Sequence, residues 1–87
     1  MTTKVCKVIL KHGFKSLGKN GVSDHRLVCC FSREGSNNYI EVYKEQYGLS
    51  VHLFGKGRMN GYYPTTIDIL EKDDVKFLDN FITRNII

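Results

Sequence analysis

Three short stretches between His25 and Phe54 alternate apolar with polar side chains, and this alternation restricts the fold more than any other feature of the sequence. A period of two is typical of strands that bury one face of a sheet. The segments around Gly35 and Gly48 separate the stretches as turns. The side chains predicted to point into the core are Leu27, Cys29, Phe31, Ile40, Val42, Leu49, Val51 and Leu53. Those predicted to point outward are Arg26, Val28, Cys30, Tyr39, Glu41, Tyr43, Ser50, His52 and Phe54.

The residues before this sheet favour a short amphipathic helix. Val5, Val8 and Ile9 recur at i, i+3 and i+4, and Gly13 stands where a left-handed C-cap would end a helix over residues 3–12. A strand is the competing interpretation, because Val5 and Ile9 also alternate with lysines and β-branched residues favour strands. Residues 14–19 suit a brief strand, and the Asn20-Gly21 dipeptide predicts a turn into the next one.

The residues after the three central stretches predict a loop, a strand and a helix. Three glycines within residues 55–61 predict a flexible basic loop, because glycine loses much backbone entropy in regular structure. Ile67 and Ile69 alternate in a further short strand over residues 65–70. From Asp73 the period becomes helical, with acids in the first turn. The apolar stripe of that helix consists of Val75, Leu78, Phe81 and Ile82.

The length of 87 residues predicts one domain spanning 1–87. We expect the α+β class, with a three- to four-stranded antiparallel sheet packed by a C-terminal helix and a short N-terminal helix. No run approaches the roughly eighteen apolar residues of a membrane span, and residues 1–13 lack the pattern of a secretory signal. The three cysteines, two of them adjacent, make a poor disulfide framework. We therefore expect reduced thiols, a cytoplasmic location and no membrane partner.

The charge of the chain is unevenly distributed. The first twenty residues contain five lysines and no acid, whereas the last quarter is acidic. Such a basic end favours a polyanion or an acidic protein surface, although a solvated face that keeps the protein soluble is the alternative. The lysines in question are Lys4, Lys7, Lys11, Lys15 and Lys19.

The outward side chains of the sheet form the second candidate site. Aromatic rings can stack unpaired bases and cations can meet phosphates, so this face suits nucleic acid if it is open. The alternative is that a helix or the 55–66 segment covers it and makes its rings a second core layer. Its members are Arg26, Tyr39, Tyr43, His52 and Phe54, and Lys56 and Arg58 in the glycine-rich loop would add phosphate contacts.

The sequence offers few candidates for catalysis or metal binding. It contains no Cys-x-x-Cys pair, and the adjacent Cys29 and Cys30 are expected on opposite faces of a strand, so we predict no metal and no cofactor. A cysteine–histidine nucleophile would rest on residue types alone. His25 follows a polar turn near the lysines, where a histidine could act on an RNA 2′-hydroxyl or simply be a polar strand-end residue.

Two local patterns resemble known families. Leu10-Lys11-His12-Gly13-Phe14, followed by residues 20–25, resembles small HicA-type toxins, although Val22 and Asp24 interrupt that motif and residues 33–87 depart from it. By that resemblance His25 would be the ribonuclease residue. The same helix with Gly13-Phe14, together with residues 39–42 and 51–55, resembles the "double wing" DNA-binding domain of MotA-type phage transcription factors. Both resemblances imply an α-β-β-β-α sandwich that handles nucleic acid.

The leading hypothesis from the sequence is a small, non-catalytic, phage-type regulatory protein that binds nucleic acid. One alternative is a phage inhibitor that docks on a host or defence protein, which Tyr-rich surfaces suit equally well. Another is a HicA-like endoribonuclease that uses His25. The oligomeric state does not follow from the sequence.

Overall fold

The computed structural model describes residues 1–56 and 62–86 as a five-stranded antiparallel sheet with two helices. The strands follow one another across the sheet in the order β1-β2-β3-β4-β5, and each pairs with the next. The α+β prediction is confirmed, with one or two strands more than expected. The elements are α1 Thr2–Lys11, β1 Lys15–Gly18, β2 Leu27–Ser32, β3 Tyr39–Glu45, β4 Gly48–Lys56, β5 Tyr62–Ile69 and α2 Lys72–Asn85.

The end of α1 and the start of α2 each have a physical reason in the sequence. Gly13 has a φ of +86° directly after α1, and its N–H donates to the Leu10 carbonyl, as in a left-handed helix end. At the other helix Glu71 is the N-cap and Asp74 completes a capping box. The Asp74 carboxylate accepts hydrogen bonds from the backbone N–H groups of Leu70 and Glu71 at 2.8 and 3.0 Å.

The core lies between the two helices and one face of the sheet. Val5 and Ile9 of α1 and Leu78 and Ile82 of α2 are buried against alternate residues of the strands. The sheet side of this core consists of Phe31, Ile40, Val42, Leu49, Val51, Leu53, Ile67 and Ile69. Helix α1 and the helical interpretation of residues 3–12 are thus confirmed against the strand alternative.

The predicted facing of β2 is wrong at its first two residues. A bulge between Leu27 and Cys29 shifts the register, so that Leu27 pairs with Tyr43 while Cys29 pairs with Val42. Leu27 is therefore buried on the face opposite the helices, and Val28 packs against the main core. Phe31 points toward the helices and Cys30 away from them, as predicted.

The loop predicted from residue 55 is wrong at its first two residues. Gly55 and Lys56 belong to β4 and pair with Tyr63 and Tyr62 of β5. The remaining residues of that prediction, 57–61, lie outside the described residues. Neither described helix is long and apolar enough to cross a membrane.

Candidate binding face of the sheet

The face of the sheet that points away from both helices, here called the outer face, is built from cross-strand rows. The first row places Phe54 beside Tyr39 and then Ser32 and Lys15. The remaining rows are His52–Glu41–Cys30 and Asp68–Ser50–Tyr43–Leu27. Both described helices lie on the other side of the sheet, so no described helix covers this face.

The aromatic side chains of the outer face pack against one another. The rings of Tyr43 and His52 meet edge to face with centroids 4.9 Å apart, and those of Tyr39 and Phe54 lie 6.2 Å apart. All four are half-buried. Leu27, opposite Tyr43, and Cys30, opposite Glu41, are buried on the same face and form an apolar floor outside the main core cluster.

Glu41 occupies the centre of the outer face between two tyrosines. Its carboxylate accepts hydrogen bonds from the hydroxyls of Tyr39 at 3.3 Å and Tyr43 at 3.2 Å. Burial, followed by the neighbouring Cys30 and Glu41, raises the pKa of Tyr39. Burial and Glu41 likewise raise the pKa of Tyr43, so both hydroxyls keep their protons and act as donors.

Arg26 lies over one end of the outer face and is held there by carboxylates. Its guanidinium donates to Asp24 at 3.0 Å and to both oxygens of Glu45 at 3.2 and 3.3 Å. It also lies 5.5 Å from the centroid of the Tyr43 ring. The hydrogen bonds from Arg26 lower the pKa of Asp24. The predicted phosphate contact of Arg26 is therefore in competition with two carboxylates of its own chain.

A hydrogen-bond chain links Glu45 to His52 through Ser50. The Ser50 hydroxyl donates to Glu45 at 3.1 Å and lies 3.1 Å from Nε2 of His52. Because the hydroxyl proton goes to Glu45, Nε2 of His52 carries the proton that points at Ser50. Ser50 is 2% exposed, so its hydroxyl is not accessible as a nucleophile and this chain orients the His52 ring.

The predicted lysines do not converge on the outer face. Lys4, Lys7 and Lys11 belong to α1 in the helix layer, and Lys11 is bound to Asp79 of α2 at 2.7 Å. Lys15 lies on the first row, 3.7 Å from Glu34, and Lys19 is exposed in the turn after β1. The predicted set is thus divided between two surfaces of a domain only 20 Å thick along its shortest axis. Lys56 is in β4, and Arg58 lies outside the described residues.

His25 is exposed at the end of the sheet, on an open groove of about 560 Å³. The groove is also lined by Arg26, Lys44, Glu45 and Tyr47. The Arg26 guanidinium in it is already paired with Asp24 and Glu45, and no described hydrogen bond orients the His25 ring as a base. Among the described residues, no group of three or more His, Cys, Asp or Glu side chains could hold a metal ion.

The sequence analysis placed Glu41 on the outer face but gave it no role, and it did not assign Asp24, Glu45 or Asp68 to this face. Among the described residues, Asp24, Glu45 and Asp68 lie on or beside this face together with Glu41, and the described cations there are Lys15 and Arg26. The signal was present, because Glu41 and Glu45 share the alternation of Tyr39 and Tyr43 along one strand. The described part of the outer face is therefore aromatic and acidic rather than aromatic and basic. No known protein family, curated protein or solved structure matches this chain.

Proposed function

We propose that this protein is a non-catalytic binding protein whose outer face receives lysine or arginine side chains of a partner protein. The observation that carries the proposal is Glu41, a carboxylate at the centre of an aromatic face that no described helix covers. A carboxylate beside tyrosine rings attracts a cation through both its charge and the ring faces. Tyrosine-rich surfaces of this kind are common at protein interfaces.

Arg26 shows how such a cation is held. Its guanidinium combines a ring contact with Tyr43 and hydrogen bonds to two carboxylates. The opposite end of the face, where Tyr39, Phe54 and Glu41 stand together, offers the same residue types, and the described cation on that row, Lys15, is paired with Glu34 at 3.7 Å. A partner's arginine or lysine side chain would complete that end in the same way.

The same charges oppose a nucleic acid on this face. Phosphates brought onto the rings would approach Glu41, Glu45 and Asp68, and like charges at short range are unfavourable. Repulsion of this kind discriminates between partners more strongly than it changes the affinity for the correct one. The outer face therefore favours a basic protein segment over a polyanion.

A second candidate function is nucleic-acid binding on the helix layer, favoured by the acid-free first twenty residues. Lys4 and Lys7 are exposed on α1, and neither has an ion-pair partner among the described residues. Contacts from these lysines would be to phosphates alone, so binding would be sequence-independent and strongly salt-dependent.

An NMR titration of ¹⁵N-labelled protein separates the two candidates, with an arginine hexapeptide and a single-stranded oligothymidine as the probes. The proposal predicts that the peptide shifts amide signals of β3 and β4, and that Glu41→Gln weakens peptide binding roughly tenfold, the equivalent of about 1.4 kcal/mol. Glu34→Gln is the matched control, because Glu34 is an exposed carboxylate in the turn before β3. Oligothymidine is expected to shift α1 signals only.

Two results would contradict the proposal. One is that the peptide leaves β3 and β4 unchanged, or that Glu41→Gln binds it no more weakly than Glu34→Gln. The other is that oligothymidine binds on the outer face and binds more tightly once Glu41 is neutralised. That second result would indicate that the outer face binds nucleic acid.

A further inference from the structure

Helix α2 carries an exposed stripe that the proposed function does not use. Asp73, Phe77, Asn80 and Arg84 are spaced at i, i+4, i+7 and i+11, which places them on one side of the helix. Phe77 is 58% exposed, the largest exposed fraction of any large hydrophobic residue among those the structure describes. A groove of about 200 Å³ lies beside it, lined by Phe77, Asn80, Phe81, Arg84 and Asn85.

This stripe lies on the flank of α2 that faces away from α1. The contact with α1 is made through Asp79, which binds Lys11 and His12. At about 100° per residue, Phe77 lies on the other side of the helix from Asp79. The buried residues Leu78 and Ile82 point into the core between these two flanks. The stripe is therefore not used by the fold of a single chain.

The charges of the stripe are arranged so that it complements itself. An acid, Asp73, stands at its N-terminal end and a base, Arg84, at its C-terminal end, about 16 Å apart at 1.5 Å per residue. Two such helices packed antiparallel about a two-fold axis would bring each Asp73 opposite Arg84 of the second copy. Phe77 would then lie opposite Asn80 of the second copy, at the rim of the groove that Phe81 lines. Neither Asp73 nor Arg84 has an ion-pair partner among the described residues.

We propose that the protein forms a two-fold homodimer through antiparallel packing of α2 against α2 of a second copy. The centre of the contact is Phe77 in the groove beside Phe81, and the two Asp73–Arg84 pairs close its ends. The edge strand β5 is the other exposed element near α2. It contains Pro64, which has no N–H for the ladder that edge-to-edge pairing requires, so the helix rather than the strand makes the contact.

Sedimentation velocity over a concentration series tests the dimer. The chain of 10.0 kDa is expected to approach twice that mass as concentration rises, and Phe77→Asp to stay at the monomer mass at every concentration. Lys76→Asp is the matched control, because it introduces the same carboxylate at an exposed position away from the stripe. Circular dichroism checks that both variants keep the helical content of the parent.

Charge reversal tests the antiparallel arrangement itself. Asp73→Arg alone and Arg84→Asp alone each place like charges opposite each other in a homodimer, so each is expected to be monomeric. In an equimolar mixture the two variants regain opposite charges at both ends, and the doubled mass is expected to return. A wild-type protein that stays at 10.0 kDa at its highest soluble concentration would overturn the proposal, as would dimers that persist in Phe77→Asp or a mixture that stays monomeric.

Discussion

Asp79 joins the two helices, and replacing it is the sharpest test of how the helix layer is held. Its two carboxylate oxygens lie 2.7 Å from Nζ of Lys11 and 2.7 Å from Nε2 of His12. Lys11 is the last residue of α1 and His12 is its C-cap, so both bonds fix the end of α1 to the middle of α2. Asp79→Asn removes the charge but keeps one oxygen acceptor and nearly the same volume.

The size of the effect follows from the exposure of the three side chains. The His12 side chain is 17% exposed and that of Asp79 30%, so their hydrogen bond is partly shielded and stabilises by about 1 kcal/mol. The Lys11 side chain is 60% exposed, and an ion pair with so much contact with solvent adds at most about 0.5 kcal/mol to the stability of the fold. Because asparagine retains part of the hydrogen bonding, we expect a loss of about 1 kcal/mol, or roughly 4–8 °C in Tm for a domain of this size.

The contribution of Asp79 to stability is expected to depend on pH in a definite direction. Hydrogen bonds from Lys11 and then from His12 lower the pKa of Asp79 in the folded state. A lowered folded-state pKa means that the stabilisation is complete above the unfolded-state pKa, about 3.9 for aspartate, and is lost as the pH falls through the folded value. The difference in Tm between the parent and Asp79→Asn should therefore have its largest value at neutral pH and decrease below about pH 4.

Thermal unfolding at constant ionic strength measures this difference from neutral to acid pH. Glu34→Gln is the control, since Glu34 and Lys15 form an ion pair of 3.7 Å whose side chains are 86% and 73% exposed, and it should change Tm little. Equal decreases in Tm for Asp79→Asn and Glu34→Gln would show that Asp79 does not hold the helices in this way. A loss in Asp79→Asn that persists undiminished at the acid end would contradict the expected pH dependence.

Two further pairs of substitutions, each with its own control, test a glycine position and a helix cap. Gly55 has a φ of +136°, and a Cβ there would lie 2.8 Å from Cα of the buried Asn38, so Gly55→Ala should cost roughly 3 kcal/mol in urea unfolding. Gly18→Ala has a positive φ but no atom within 4 Å, and should cost about 1 kcal/mol; equal losses would remove the steric argument. Asp74→Ala leaves the N–H groups of Leu70 and Glu71 without their acceptor, and should cost about 1 kcal/mol. The neighbouring Asp73→Ala should cost less than half of that, and a reversed order would contradict the capping box.

The sequence predicts most of the elements because local signals and tertiary packing agree. The apolar spacing in residues 5–9, with Gly13 after it, fixes α1, and the strict alternation in β3 and β4 fixes which side chains are buried. Gly55 and Lys56 show where local reasoning fails, because their strand conformation depends on pairing with β5. Ordering a glycine does cost backbone entropy, but the backbone hydrogen bonds between β4 and β5 outweigh that cost.

The facing of Leu27 and the separation of the lysines from the outer face could not be predicted, for two different reasons. The alternation of side chains in the sequence does not reveal the bulge in β2. At the bulge β2 has one residue more than the facing part of β3, and no particular residue type marks that position. The division of the lysines from the aromatic rings depends on both helices packing on the same side of the sheet. Periodicity assigns a residue to a face of its own element, but it does not say which faces of different elements form one surface.

Glu41 is the residue whose presence the fold alone does not explain. The centre of a sheet favours β-branched or aromatic residues, and a half-buried carboxylate is costly there unless its hydrogen bonds are made. Tyr39 and Tyr43 make those bonds, yet each satisfies only one oxygen of a charged group that would prefer more donors. An apolar residue in its place would suit the floor of Leu27 and Cys30 at least as well. Stability of the sheet therefore does not account for this carboxylate, whereas a cation from the proposed partner would supply the donors and the opposite charge that it lacks.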